Sequence, residues 1–541
     1  MQRLKVGSFL YRSAAKKSLM KSRFVAPLAL VAVVALMGLL SACAVTPGVT
    51  VSLPDAQVDA ATRLRWLDRV TWGATADGES ELARRGPTLW LQDQLNRTHA
   101  DTLPATAQAR IDAMTISRVP VASLAIALEA QRKSADALPV EDQKKAARQA
   151  YQQELTRLAR ESQQRFMLRA LYSPNQLQEQ MTWFWTNHFN LNARKDGLRA
   201  LVGDYEEQAI RPHALGNFRD LLGATLRHPA MLRYLDNVQN ASSRINENYA
   251  RELMELHTMG VGGGYSQGDV QELARVLTGV GVSLRPLDAP APNMRPSLAG
   301  DYVRRGLFEF NPMRHDYGAK TLLGQPITRH GLAEVDEALD RLARAPATAQ
   351  FISRKLAIYL VADEPPKALV DLMAATFQRT DGDIAATLAT MFSSPAFTAS
   401  LGHQFRDPLH YVVAAVRLAY DGRVVGNVDP MISWTARMGE PLYGHETPDG
   451  YPLNRAAWAS AGQMTTRFEI ARAIGANGAV LFRTDDQSPL EKPAWPPLAA
   501  SGIAQSMQPG FSAPTKAALA QALSPQDWNT YLLASPEFMA R

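Results

Sequence analysis

The stretch NENYARELMELH, residues 246–257, shows best what kind of fold this chain adopts. Its apolar residues recur at the three- and four-residue spacing of one helix face: Tyr249, Leu253 and Leu256. Its charged residues lie on the opposite face, four positions apart, where ion pairs are expected: Glu247, Arg251 and Glu255. The pattern predicts an amphipathic helix with one face in a protein core.

The same periodicity dominates the rest of the chain and predicts a mostly α protein. It is clear in 61–70, 79–96, 120–133, 142–171, 176–190, 246–259, 268–281, 333–344, 346–361, 366–378 and 383–393. Residues 282–312 carry five prolines without clear periodicity, so we expect a long irregular excursion at the surface. We predict a large multi-helix globular domain over 61–400 and a smaller C-terminal helical sub-domain over 401–541, packed on it.

The positive charge of the chain is concentrated at its start. The 541 residues carry a formal net charge of +6, but residues 1–42 hold seven basic residues and no acidic one. Without this leader, 51 basic residues face 52 acidic ones, a net charge of −1. We therefore expect no nucleic-acid partner, since the global charge of the mature chain does not favour one.

The leader has the features of an export signal. A short basic region precedes an apolar run from Phe24 to Leu40, and small residues follow. We predict a signal peptide over residues 1–42, and translation from Met20 would give the same signal. The alternative is an uncleaved membrane anchor, because the run is close to the shortest length that spans a bilayer.

The single cysteine of the chain, Cys43, ends the motif Leu-Ser-Ala-Cys. This motif resembles the lipobox of bacterial lipoproteins, in which the cysteine is acylated. We therefore predict lipidation at Cys43, a lipidated tether over residues 43–60, and attachment to a membrane through the acyl chains. Ala44 follows the cysteine, which by the sorting rule of lipoproteins implies an exported protein at the outer membrane.

The common catalytic and cofactor motifs are absent from the sequence. One cysteine excludes an intrachain disulfide framework, a four-cysteine zinc site and a cysteine-bound iron–sulfur cluster. The sequence has no nucleophile elbow, phosphate-binding loop or His-Glu-x-x-His helix. The glycines of 260–264 follow a helix rather than a strand, so they do not predict a dinucleotide site. We predict no residue that binds an organic cofactor.

Two histidines nevertheless lie on apolar helix faces. His188 continues the stripe of Met181, Phe184 and Trp185, and His257 lies in the apolar arc of its own helix. Neutral imidazoles are common metal ligands, so His188 and His257 are candidate ligands of a divalent metal. Other acid–base candidates complete the predicted catalytic set: Glu252, Glu255, His315 and Asp316. The alternative is that each histidine is a hydrogen-bonded core residue.

These blocks resemble the bacterial domain-of-unknown-function family 1800 from about Arg63 to the C-terminus. The resemblance is carried by Met181–Phe189, Ile210–Arg219, His228–Asn237, Asn246–Thr258, Gly260–Tyr265 and His315–Lys320. Glycine at 262–264 and arginine at 406 depart from the familiar pattern, where an acidic residue and lysine are usual. The family has no agreed activity, so the resemblance implies no catalytic assignment. It does imply an exported protein with a secreted partner, because members are often encoded beside a second secreted family.

Two hypotheses follow for the function. The first is an envelope enzyme, hydrolytic in character, with the histidines and carboxylates around a cleft. The second is a non-catalytic helical scaffold that binds a secreted partner protein or an envelope polymer. Close approach of His188 and His257 would favour the first hypothesis, whereas a separation beyond about 12 Å would exclude a shared metal site.

Overall fold

The computed structural model describes residues 48–51, 53, 59–195, 197–476, 479–482 and 495–541. Helix makes up 62% of the structure and strand 4%, which confirms the predicted mostly α fold. The described α-helices are, in chain order, α1 Ala60–Val70, α2 Ala76–Arg85, α3 Pro87–Asn96, α4 Ala105–Ala113, α5 Thr115–Arg118, α6 Val121–Asp136, α7 Glu141–Tyr172, α8 Gln176–His188, α9 Val202–Asp204, α10 Phe218–Arg227, α11 Pro229–Tyr234, α12 Asn248–Glu255, α13 Gln267–Val276, α14 Leu332–Arg344, α15 Pro346–Leu360, α16 Lys367–Arg379, α17 Ile384–Phe392, α18 Pro395–Ser400, α19 Pro408–Ala419, α20 Asp429–Arg437, α21 Ala461–Ala476, α22 Ala479–Phe482, α23 Gly502–Met507, α24 Ala513–Ala520 and α25 Pro525–Leu533.

Local sequence signals set several helix boundaries. Ser266 and Asp269 form a reciprocal capping box that starts α13. The segment predicted as one helix over 79–96 is two helices, because Gly86 takes a φ of 77° and Pro87 starts α3. Residues Tyr205–Ile210 form one turn of π-helix, a rare conformation that inserts an extra residue.

Short strands lie within and beside the predicted excursion. β1 Val280–Val282, β3 Phe308–Phe310 and β2 Val303–Arg305 form an antiparallel sheet in that order. β4 Thr321–Leu322 and β5 Gln325–Pro326 form a two-stranded hairpin. Within 282–312 the chain is mostly exposed until β3, where Phe310 is fully buried. Strands this short give no readable alternation in the sequence.

Helix α8 lies at the centre of the core, and all thirteen of its residues are buried. Its polar groups therefore need partners inside the protein. The Trp185 indole donates to the carbonyl of Ala214 at 2.9 Å, and Glu179 pairs with Arg211 at 2.6 Å. This burial fixes the position of His188, the last residue of the helix.

Residues Val49–Arg541 form one compact unit. Helix α19, in the predicted C-terminal sub-domain, is buried along almost its whole length and contacts α7. A Cβ atom at Gly73 would lie 2.8 Å from the Cα of Ala414, so the chain just after α1 also approaches α19 closely. The guanidinium of Arg69 donates to the carbonyls of Leu360 and Ser400 at 2.6 Å and to that of Arg541 at 2.5 Å.

The predicted signal peptide and Cys43 lie outside the described residues. Of the predicted tether, Val51 and Leu53 are buried, and the backbone of Val49 exchanges hydrogen bonds with the side chain of Asn96 at 2.9 and 3.1 Å. Among the described helices, none has both the length and the apolar character needed to cross a membrane.

Candidate functional site

The first part of the site is the imidazole of His188 at the end of α8. It is only 1% exposed, and its Nε2 lies 3.1 Å from the carbonyl oxygen of His257. A carbonyl can only accept, so Nε2 carries the proton and Nδ1 is the unprotonated nitrogen. Within the described part of the chain, Nδ1 has no hydrogen-bond partner.

The second part is His257, which lies just beyond α12. The periodicity predicted a helix over 246–259, but α12 ends at Glu255, and the His257 amide donates to the Glu252 carbonyl at 3.1 Å. The chain turns inward after the last turn of α12, and Gly260 completes this turn with a φ of 81°. The prediction that His257 belongs to the helix was therefore wrong, although its side chain is 1% exposed.

The structure brings these two histidines together. Their ring centroids are 6.1 Å apart with a 54° angle between the ring planes. Neither ring nitrogen of His257 has a partner among the described residues, so the pair holds three unpartnered buried nitrogens. Buried polar atoms are normally satisfied, and exceptions are expected where a ligand, ion or water binds. We call His188, His257 and the neighbouring Lys355 the two-histidine centre.

Aromatic side chains enclose the two imidazoles. The Phe189 ring lies 4.5 Å from His188 and 5.0 Å from His257, centroid to centroid, and Phe351 lies 6.2 Å from His188. A Cβ atom at Gly260 would come within 2.7 Å of the Phe351 ring, so only glycine fits there. This burial lowers the pKa of His257 to about 3 and that of His188 well below its usual value. Both imidazoles are neutral at physiological pH.

Lys355, on α15, is the charged residue that acts electrostatically on both imidazoles. It is half-buried, and burial lowers its pKa to about 8, against the opposing effect of the negative charge of Asp449. Its Nζ lies 5.5 Å from the centroid of the Phe351 ring. Among the described residues the ammonium group has no ion pair or hydrogen bond, and its positive charge contributes to the low pKa of both histidines.

Sequence reasoning missed Lys355 and Asp449. Lys355 lies at the edge of the apolar stripe of α15. A lysine beside an apolar helix face is the sequence feature that could have indicated this residue. Asp449 lies in an irregular loop, and nothing local in the sequence connects it to α15.

The loop that carries Asp449 is held against the end of α8. Asn187 donates to the Tyr451 carbonyl at 2.9 Å and accepts from the Tyr451 amide at 2.7 Å. A Cβ atom at Gly450 would lie 2.1 Å from the Asn187 carbonyl oxygen, so this contact requires glycine. The residue before His188 thus fixes the loop, and Asp449 is within electrostatic reach of Lys355.

The predicted carboxylates differ in environment. Glu252 is half-buried, and burial raises its pKa, with further contributions from Glu255 and Asp449. Glu255 is paired with Arg251 at 3.4 Å on the solvent side of α12. Glu252 has no ion-pair partner among the described residues, so it is the better acid–base candidate of the two.

His315 and Asp316 belong to other clusters. His315 is buried, its Nδ1 donates to the Thr278 carbonyl at 2.8 Å, and its Nε2 lies 3.3 Å from Glu334, which also pairs with Lys320 at 2.7 Å. Asp316 pairs with Arg275 at 2.8 Å, and this contact lowers its pKa. No contact between described residues joins either side chain to the two-histidine centre.

A second buried histidine network was also missed. His410 lies 2.7 Å from Asp407 through Nδ1 and 3.2 Å from the Tyr359 hydroxyl through Nε2. The Trp72 ring stacks on the imidazole at 4.4 Å, and burial lowers the pKa of His410 to about 4. All its polar atoms have partners, as expected of a histidine that supports the core.

The donor set does not match a conventional zinc centre. Within the described ranges, no group of three or more histidine, cysteine, aspartate or glutamate side chains could hold a metal ion. The two imidazoles would supply two ligands, whereas zinc sites use at least three from the protein. The positive charge of Lys355 also opposes a cation at this position.

The family model described as "Protein of unknown function (DUF1800)" matches residues 65–540 of this helical chain. The match covers most of the sequence, so the chain belongs to this family. No curated protein and no solved structure matches it.

Proposed function

We propose that this protein is a hydrolytic enzyme whose two-histidine centre performs acid–base catalysis. The observation that carries the proposal is the Lys355 amine, which has a pKa of about 8 and acts electrostatically on two buried imidazoles that hold nitrogens without partners. A group with a pKa near the working pH is suited to proton transfer, and perturbed pKa values concentrate at functional sites. His257, with its pKa of about 3, is too weak a base for this role.

The residues then have distinct roles in hydrolysis. The neutral amine of Lys355 takes a proton from water, and the resulting hydroxide adds to the scissile carbonyl carbon. The lysine ammonium then gives that proton to the leaving group as its bond breaks, so one water molecule is consumed. The unpartnered His257 nitrogens hydrogen-bond the water or substrate. The negative charge of Asp449 acts on both Lys355 and Glu252.

The test is a panel of chromogenic carboxylic esters and amides, assayed with the purified chain between pH 6 and 10. We expect activity that rises through pH 8, as the amine loses its proton, and a fall of about 100-fold or more in Lys355→Met. His257→Gln should lower activity as well. The matched control is Lys367→Met, because Lys367 is 86% exposed on the next helix.

Two outcomes would contradict the enzyme proposal: no hydrolysis above background across the panel, or activity unchanged in Lys355→Met. Either would favour the second hypothesis, a scaffold that binds a secreted partner or an envelope polymer.

We also propose that the protein is held at the outer membrane through acylated Cys43. The support is the sequence of the leader and the position of the single cysteine. Metabolic labelling with an alkyne-tagged fatty acid should mark the wild-type chain and not Cys43→Ser, and membrane fractionation should release the variant. Labelling of Cys43→Ser, or its retention in the membrane fraction, would refute the anchor.

A further inference from the structure

Two adjoining clefts lie along the long helix α7, away from the residues of the two-histidine centre. Their volumes are about 580 Å³ and about 950 Å³. Both are lined by Gln152, Arg194 and Arg199, so the two clefts adjoin at these residues. We call the two clefts together the α7 groove.

The described lining of the α7 groove is strongly basic, with six arginines and two glutamates. Three of the arginines are neutralised locally. Their ion pairs are Arg132 with Glu129 and Asp136, Arg157 with Glu154 and Glu161, and Arg160 with Asp429. Of the other three arginines, Arg233 lines the smaller cleft and interacts with other residues of the protein, whereas Arg194 and Arg199 lie where the two clefts meet.

Arg194 and Arg199 lie at that junction without an acidic partner among the described residues. Arg194 is exposed, and Arg199 donates only to neutral oxygens of Thr156 and Gln152. The Nε of Arg199 is buried and unpartnered. Burial lowers the pKa of Arg199, and the nearby charge of Arg194 lowers it further. Two close, like charges repel, and an anion between them would remove that repulsion.

Carboxamide side chains line the same groove. Gln149 and Gln153 are exposed, lie one helical turn apart, and make no side-chain hydrogen bond to a described residue. A carboxamide both donates and accepts, which suits the hydroxyl groups of a sugar. The lining runs from Gln149 to Gln164 on α7, a length of about 22 Å at 1.5 Å per residue. An elongated ligand fits this shape better than a single small ion.

The aromatic content of the groove argues against nucleic acid. Its described lining has two aromatic residues, Tyr151 and Tyr443, and the Tyr443 hydroxyl is bound to Glu206 at 2.7 Å. Proteins that hold single strands stack bases on successive aromatic rings. Guanidinium forks beside carboxamides match a polymer that combines hydroxyl groups with carboxylate groups.

We propose that the α7 groove binds an acidic polysaccharide, with Arg194 and Arg199 on its carboxylate groups and Gln149 and Gln153 on its hydroxyl groups. This site is independent of the hydrolytic centre, so either proposal can fail alone.

The test is the affinity of the full chain for polygalacturonate, measured by isothermal titration calorimetry, with neutral dextran and single-stranded poly(dT) as comparison polymers. We expect polygalacturonate to bind, dextran not to bind, and poly(dT) to bind at least tenfold more weakly than polygalacturonate. Affinity for polygalacturonate should fall steeply with salt. The double variant Arg194→Gln/Arg199→Gln should bind at least tenfold more weakly. The control is Arg305→Gln, an exposed arginine on β2.

A second variant keeps the test decisive if the double variant fails to fold. Gln153→Glu changes one exposed residue, leaves both arginines in place and adds a negative charge to the groove. It should weaken binding severalfold while the melting temperature stays that of the wild type. Undiminished binding by both variants, or tighter binding of poly(dT) than of polygalacturonate, would overturn the proposal.

Discussion

At the scale of single residues, the two buried imidazoles are the most informative feature. Phenylalanines surround them, so an apolar ring would also fit this part of the core. Leaving a buried polar atom unpartnered costs about 1–3 kcal/mol, and His188 and His257 together hold three such atoms. That cost is the physical reason to assign them a ligand or substrate rather than packing alone.

The low pKa of His257 predicts how acid affects stability. The folded state keeps His257 neutral down to about pH 3, whereas the unfolded state takes up a proton below about 6.5. The free energy of unfolding therefore decreases as pH falls through this window, by about 2 kcal/mol at pH 5 from this residue. Between pH 7 and pH 5, the free energy of unfolding of His257→Gln should therefore fall by about 2 kcal/mol less than that of the wild type. Urea denaturation at the two pH values measures the difference.

The control for this pH dependence is His403→Gln, since His403 is an exposed histidine. An acid-induced loss as large in His257→Gln as in the wild type would contradict a neutral buried His257.

Periodicity predicted that His188 and His257 face inward, and both are buried. It could not predict that they meet, because that contact joins residues 69 positions apart. The predicted catalytic set also included His315 and Asp316 for their acid–base chemistry, and in the structure these side chains pair with Glu334 and Arg275. Local spacing predicts which face of its helix a side chain occupies. Only tertiary packing determines which residues from other parts of the chain it contacts.

At the scale of elements, the π-helical turn Tyr205–Ile210 positions a buried carboxyl group. Glu206 is 2% exposed and accepts a hydrogen bond from Tyr443, whose backbone has a φ of 57°. A tyrosine in this left-handed region is strained, and the surrounding contacts must hold it there. Burial raises the pKa of Glu206 to about 7.

This raised pKa predicts that Glu206→Gln stabilises the protein at alkaline pH. The folded state favours protonated Glu206. The contribution of this group to the free energy of unfolding is therefore greatest below about pH 4.5 and is lost as the pH rises through 7. Glutamine resembles the protonated form at every pH. The change that Glu206→Gln causes in the free energy of unfolding should therefore be more favourable at pH 8 than at pH 5, by about 2–3 kcal/mol. Thermal melts at the two pH values provide the measurement.

The neighbouring carboxylate is the matched control. Glu207 pairs with Arg169, and its pKa is lowered, so Glu207→Gln should destabilise the fold at pH 8. An equal effect of Glu206→Gln on the free energy of unfolding at pH 5 and at pH 8 would contradict a raised pKa of Glu206.

The contact between α8 and the Asp449 loop can be tested through glycine. Gly450 and Gly422 have φ values of 77° and 76°, but only Gly450 would place a Cβ atom against Asn187. Gly422→Ala should cost about 1 kcal/mol from backbone strain alone. Gly450→Ala should cost about 3 kcal/mol or more in chemical denaturation, and it should also lower the proposed hydrolytic activity by moving Asp449. Equal costs would show that the loop is not held by this contact.

At the scale of the whole molecule, Arg69 connects distant parts of the chain. It is fully buried and donates to carbonyls of α15, α18 and the last residue, Arg541. Arg541 is itself buried, and its guanidinium donates to the Gln180 side chain in α8 at 3.1 Å and to the Tyr359 carbonyl at 3.0 Å. The two arginines thus join the beginning, centre and end of the compact unit.

Arg69→Met should lower the free energy of unfolding by about 3 kcal/mol or more, because it leaves several buried carbonyls without donors. Arg65→Met on the same helix is the control and should stay within about 0.5 kcal/mol, since Arg65 is exposed. Guanidinium denaturation of both variants would measure the difference, and equal midpoints would contradict a structural role for Arg69.

The contact between Arg69 and Arg541 spans 472 positions of sequence, and it also constrains the order of events during biosynthesis. Translation supplies Arg541 after every helix described above. Until then Arg69 lacks one of its acceptors, and α8 lacks its bond from Arg541. The growing chain therefore cannot complete its core one segment at a time, because contacts this distant in sequence form only after the intervening residues have been made.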